Sequence, residues 1–260
     1  MSVDERMVHD IVQKVMANMQ ISGSVSGMHG VFKDMNDAIN ASIEAQKKVC
    51  TMTLDQREQI ISLIRKKTHE NAEILANMGV NETGMGNVGD KILKHHLTAD
   101  KVPGTEDIST IAWSGDRGLT LVEMGPFGVI GAITPATNPS ETVICNCIGM
   151  LAGGNTVVFN PHPNAKKTTI YTINMINEAS IEAGGPDNIA VTVEAPTLDT
   201  SAIMMKHPSI HLLVATGGPG VVTAVLSSGK RAIGAGAGNP PVSVSHTHLR
   251  AHETRGNLVC

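Results

Sequence analysis

Aromatic side chains are scarce in this 260-residue chain: Phe32, Trp113, Phe127, Phe159 and Tyr171 are all it has. Single-strand nucleic-acid binders stack bases on aromatic platforms, so that class is disfavoured. Positive charge is also short. Lys and Arg number 20 against 24 Asp and Glu, the net charge is −4, and no basic footprint for nucleic acid exists. Four cysteines (Cys50, Cys145, Cys147, Cys260) are too few and too scattered for a disulfide scaffold, and fit a reducing cytosol. No apolar run approaches the ~20 residues of a membrane span. Asp4, Glu5, Arg6 and Asp10 interrupt the start where a secretory signal would be apolar. What remains is 41% apolar and 17% charged, with 26 Gly and 14 Met. That composition predicts a soluble cytoplasmic globular protein of one or two domains.

The first 20 residues stand apart. Val3, Met7, Val8, Ile11, Val12, Val15, Met16 and Met19 form one apolar stripe at helical spacing. Residues 21–30, rich in Gly and Ser, read as a flexible linker. A short helix on a tether cannot bury its stripe alone. It either docks on its own domain or serves as a docking peptide for a partner. Its mixed-charge polar face argues against a basic membrane helix.

Residues 31–242 read as one folded unit. Helices are expected from Val31 to Val49, after Thr53 with Gly79 as the stop, and near Asp90 to Lys101. Leu119 to Glu123 suggests an antiparallel ribbon arm. From Val129 onward, short apolar strands alternate with helices: strands at 129–133, 155–159, 189–193, 210–214 and 231–233, and helices at 139–151, 165–183, 198–206 and 219–228. This alternation predicts βαβ units and a Rossmann-type parallel sheet with covered faces, an α/β fold. Residues 243–260 break the pattern and read as an atypical, foreign-looking tail. His246, His248 and His252 lie there, but no fourth ligand accompanies them and no metal site is expected.

Ligands of parallel sheets bind beyond the carboxyl ends of the strands, which directs attention to three turns. Thr134-Pro-Ala-Thr-Asn138-Pro139 would start a helix with Pro at its first turn. Asn138 either caps that helix or points its amide into the crevice. Asn160-Pro-His162-Pro163 is a second rigid turn. Thr216-Gly-Gly-Pro-Gly220 opens another helix, whose backbone N–H groups can meet a phosphate.

In this order the segments resemble the aldehyde dehydrogenase superfamily, and more narrowly its CoA-acylating members from bacterial microcompartments, the propionaldehyde and acetaldehyde type. The resemblance spans roughly Met28 to Val242. It includes Glu82-Thr-Gly-Met-Gly86, Asp90-Lys-Ile-Leu-Lys-His95, Gly125-Pro-Phe-Gly-Val-Ile130 and Gly229 to Pro241. It implies an oxidoreductase that takes a short-chain aldehyde, CoA and NAD+ to acyl-CoA and NADH through a cysteine thioester, in a homo-oligomeric family. Residues 1–20 resemble encapsulation peptides, which implies docking to a microcompartment shell. By resemblance Asn138 is the oxyanion asparagine, and Thr134 and Pro135 line the nicotinamide side. Asn160, His162 and Pro163 match positions near the adenosine. Thr216, Gly217 and Gly220 match the turn under the pyrophosphate.

Two departures bear on the chemistry. Hydrolytic relatives place a glutamate base in a Glu-Leu-Gly-Gly motif, and Gly234 stands at that position here. Without the base, water attack is disfavoured and a CoA thiolate becomes the better acceptor. An alternative is that the glycines at 234–238 only serve tight packing. The family's catalytic cysteine lies farther past the Gly-Asn-Pro segment, so the catalytic domain is expected to be largely missing and the chain to be an inactive fragment. Cys260 echoes an Asn-X-X-Cys turn at too short a spacing, and Cys145 and Cys147 read as small buried apolar residues. A non-catalytic nucleotide-binding or shell-interaction module is the competing reading. The aldehyde, and NAD against NADP, stay open.

Overall fold

The computed structural model describes residues 27–236. The expected amphipathic helix at 1–20, the tail at 243–260 and Cys260 lie outside the described residues.

Six parallel strands form the central sheet: β1 (Val31–Phe32), β4 (Val129–Thr134), β5 (Thr156–Pro161), β6 (Ala190–Val193), β7 (Ile210–Thr216) and β8 (Arg231–Ala235). Their order is β1-β6-β5-β4-β7-β8. The sheet grows to one side through β5 and β6 and to the other through β7 and β8, so the topological switch point lies at β4. Side chains alternate across it. Val157 and Phe159 of β5 enter one core with Ile144, Ile148, Ile173 and Ile176. Val158 enters the opposite core with Ile39, Met204 and Leu213. The first core faces α4 (Pro139–Ala152) and α5 (Lys166–Glu182), and the second faces α1 (Met35–Val49), α6 (Leu198–Lys206) and α7 (Pro219–Leu226). Burying each of these large apolar side chains contributes about 1.5–3 kcal/mol, which sets the layer order.

Two helices stack outside the first layer. α2 (Leu54–Thr83) packs on α4 and α5, and α3 (Val88–Lys101) packs on α2 and α4. The N-terminal signals of α2 are legible in the chain: Thr53 accepts from the Gln56 N–H at 3.2 Å, and the Gln56 side chain accepts from Thr53 N–H at 2.9 Å. Its stop is a correction. Gly79 is a buried interior residue, and the helix runs on to a left-handed cap at Gly84, φ 68°. The first expected helix likewise starts later than Val31, because Val31 and Phe32 pair with β6 and Asp34 caps α1.

The tether is also shorter than expected. His29 N–H donates to Asn174 Oδ1 at 2.8 Å, and its ring contacts Asp187 Oδ2 at 2.8 Å. Gly30 is buried at φ 76° against Asn177 and Ala190. Residues 29 and 30 therefore belong to the domain. The ribbon arm is present as β2 (Ile111–Gly115) paired antiparallel with β3 (Gly118–Val122), and every one of its ten residues is exposed. Among the described residues no helix is long and apolar enough to cross a membrane.

Candidate functional site

Flush strand ends build the site. Thr134 of β4 pairs with Pro161 of β5, and Ile133 pairs with both Asn160 and Ala215. The turns after β4, β5 and β7 thus emerge side by side around a cavity of about 880 Å³. Thr134, Pro135, Asn138, Asn160, His162, Pro163, Thr216 and Gly217 all line it.

Asn138 precedes α4 but makes no side-chain cap bond. The capping alternative is therefore not the one adopted. Lys94 Nζ approaches its Oδ1 at 3.4 Å, which leaves the amide NH2 as the end without a cationic neighbour. Thr134 is buried, and its Oγ1 has no partner among the described residues. A buried hydroxyl without a partner costs about 1–3 kcal/mol, and this one sits on the cavity wall. Both ends of the Asn160 amide are anchored, with one N–H left over: Thr200 Oγ1 donates to its Oδ1 at 2.6 Å, and its Nδ2 donates to Thr197 O at 3.3 Å. His162 Nδ1 accepts from Asn164 N–H at 3.2 Å, which fixes the ring at the edge of the second turn.

Helix N-termini differ sharply between the cavity and elsewhere. Asp34, Thr53, Asn87 and Thr197 cap α1, α2, α3 and α6 with their side chains. Glu82 accepts from the Lys167 and Thr168 N–H groups, both at 2.7 Å, and so serves α5. Among the described residues only α4 and α7, whose first turns open on the cavity, carry Pro at the start and no side-chain cap. Their orphan N–H groups and positive dipole ends suit an anion.

Gly220 and Gly234 are not on the cavity wall. Gly220 lies exposed in the first turn of α7 with open space around it. Gly234 pairs with Ala215, whose side chain faces the α7 core, so Gly234 points the same way. A Cβ there would sit 2.6 Å from Val222 Cγ1 and 3.5 Å from Leu226 Cδ1. Its geometry is that of close helix–strand packing, and a glutamate side chain would meet α7 before it met the cavity. The expectation for the thiols holds for Cys147 and needs correcting for Cys145. Cys147 is buried, and burial pushes its thiol well up. Cys145 is exposed, because position 145 falls on the outer side of α4. Neither lines the cavity.

Thr197, the N-cap of α6, and Leu198 and Ser201 within it form a cavity wall that sequence reasoning missed. The reciprocal Thr197–Thr200 cap was the available signal. Among the described residues no group of three His, Cys, Asp or Glu is arranged for a metal ion.

A doubly wound parallel sheet with a cavity at its switch point and two uncapped helix N-termini beside it defines a Rossmann-type α/β domain. The chain matches the aldehyde dehydrogenase family over residues 17–244, and it belongs to that family. It is 46% identical to an acetylating acetaldehyde dehydrogenase of Bilophila wadsworthia, over 98% of this chain and 56% of that protein. It is 46% identical to a CoA-propanoylating propanal dehydrogenase of Salmonella typhimurium, over 84% and 47%. A propionaldehyde dehydrogenase from the Clostridium phytofermentans fucose utilisation bacterial microcompartment superposes with TM-score 0.80 at 74% identity, covering 82% of this chain and 49% of that one. A Rhodopseudomonas palustris propionaldehyde dehydrogenase, solved with CoA and an acylated cysteine, gives 0.79 at 50% identity over 82% and 49%. The chain spans about half the length of the curated relatives it matches.

Proposed function

We propose that this chain carries the dinucleotide-binding part of a CoA-acylating aldehyde dehydrogenase that converts a short-chain aldehyde, CoA and NAD+ to acyl-CoA and NADH. The observation that carries the reading is the pair of uncapped N-termini, α4 and α7, opening on one cavity at the switch point. The pyrophosphate would lie against the Thr216–Gly218 turn, where Gly217 and Gly218 have no side chain in the way. The buried Thr134 hydroxyl, left without a partner, fits a polar group of the cofactor. Asn160, His162 and Pro163 would hold the adenosine end. Asn138 would donate its amide to the oxyanion formed when a cysteine thiolate adds to the aldehyde. When bound, the nicotinamide supplies the hydride acceptor. Acyl transfer to CoA rather than water is supported by the acylating relatives.

Titration of the purified chain with NAD+ by calorimetry tests the binding. Saturable binding that Gly217→Val weakens about tenfold or more is expected. Absence of binding overturns the reading. In a completed chain that carries this domain together with a catalytic cysteine, product analysis with propionaldehyde and NAD+, with and without CoA, tests the acceptor, and acid forming as fast without CoA overturns it.

Residues 1–20 are proposed to dock the protein to a microcompartment shell, burying the Val3–Met19 stripe in a groove of the partner. The microcompartment origin of the Clostridium structure supports this setting. A reporter fused to residues 1–27 should co-sediment with shells, and Val8→Glu with Val12→Glu should abolish it.

A further inference from the structure

The segments Glu82–Gly86 and Asp90–His95 enter no step above, yet they converge behind the turn that carries Asn138. Lys91 is 2% exposed. Its stem runs past Gly79 and Gly86: a Cβ on the first would lie 3.8 Å from Lys91 Cδ, and on the second 3.5 Å from Lys91 Cε. Its Nζ donates to Thr137 O at 2.9 Å and to Glu141 Oε1 at 3.1 Å. Glu141, itself buried, lies in the first turn of α4 with its Oε2 3.2 Å from Ser140 Oγ. His95 closes the group, with Nδ1 against Lys91 O at 2.7 Å and Nε2 against Ser140 Oγ at 2.8 Å. One turn along α3, Lys94 reaches the Asn138 amide oxygen.

We infer that Lys91, with Glu141 and Lys94, is a positioning residue for Asn138. Two desolvated charges persist only where each satisfies the other and their remaining polar partners. Here the additional partner of the cation is the backbone carbonyl immediately before Asn138. A pair needed only to join α3 to α4 would not require it. Lys91 clamps the peptide on one side of Asn138, Glu141 clamps the helix that follows, and Lys94 selects which end of the amide faces away from the cavity. The NH2, which has no partner among the described residues, is thereby held as a donor toward it. Lys91 touches no ligand and acts only through this turn. The link to chemistry rests on the oxyanion role proposed for Asn138, whereas the positioning itself does not.

The test uses the whole chain with both charges removed together, Lys91→Met with Glu141→Gln, so that no buried charge is left alone. The side-chain amide signal of Asn138, assigned through Asn138→Asp, is followed by 15N NMR. Asn177 serves as the internal control, because its amide bonds Ile173 O and Ala190 O on the other side of the sheet's first layer. The expected result is a shifted Asn138 signal with increased mobility, an unchanged Asn177 signal, and NAD+ binding weakened by about tenfold. An Asn138 signal unchanged in position and mobility overturns the inference. Should the double variant fail to fold, Lys94→Met leaves the buried pair intact and is read the same way. If NAD+ does not bind the unaltered chain, the dinucleotide reading of the cavity falls, and the amide signal still decides the positioning.

Discussion

The strands β4 to β6 and the hairpin β2–β3 are built from similar residues and meet opposite fates. Phe159 is 0% exposed between Ile144 and Ile173, whereas Trp113 is 58% exposed and Leu119 64%. The difference is not hydrophobicity. A parallel strand is fed by helices that return over the sheet and cover both its faces. A two-stranded antiparallel ribbon closes on itself through the Asp116–Arg117 turn and brings no covering layer. Connection type, rather than side-chain polarity, decides which apolar residues lose contact with water.

Several substitutions would break or sharpen that contrast, and the largest effects lie inside the covered layers. Lys91→Met alone strands Glu141 without its cation and should cost about 3–5 kcal/mol in urea denaturation, while the double variant with Glu141→Gln recovers much of it. Phe159→Ala should cost about the same, 3–5 kcal/mol, by opening a cavity between α4, α5 and β5. Gly234→Ala tests how tightly the edge of the sheet is covered. Its Cβ presses on Val222, so an overpacking loss of about 1–3 kcal/mol is expected, against no change for Gly217→Ala, which meets open space.

A smaller effect comes from His95, which is 0% exposed. Burial holds its imidazole below the ordinary value of 6.5. The unfolded chain takes up a proton near 6.5 that the folded protein refuses, so stability is complete above that pH and declines as the pH falls toward the lowered native value. The slope is at most about 1.4 kcal/mol per pH unit for one group. His207, also lowered by burial, adds a slope of the same sign. His95→Gln should remove part of the slope between pH 5 and 6.5, as measured by thermal melts. The smallest effect is expected in the ribbon: Trp113→Ser with Leu121→Ser should leave stability of this chain within about 0.5 kcal/mol.

Much of this was readable from residue order. The alternation from Val129 onward marked every sheet strand except β1, a two-residue strand too short to carry a period. The strand-end turns were legible because Pro and Gly restrict or free the backbone locally. Gly79 misled because a glycine inside a helix resembles a stop. It lies buried inside the helix beside the Lys91 stem, a contact between residues twelve positions apart on different helices. The α6 wall was missed because Thr197 and Ser201 are ordinary capping and helix residues until the sheet carries them beside Asn160.

By itself, then, the chain determined most of its elements, its fold class and the three turns that surround the cavity. Those features depend on local backbone freedom and on a period of two or 3.6 residues, both of which are written in neighbouring positions. Only the tertiary structure decided which way Gly234 faces, which helix ends stay uncapped over the cavity, and that Lys91 reaches across to the turn of Asn138. Each of these depends on strand register and on the approach of segments distant in sequence, where a shift of one residue reverses a side chain and a few ångströms make or break a buried ion pair.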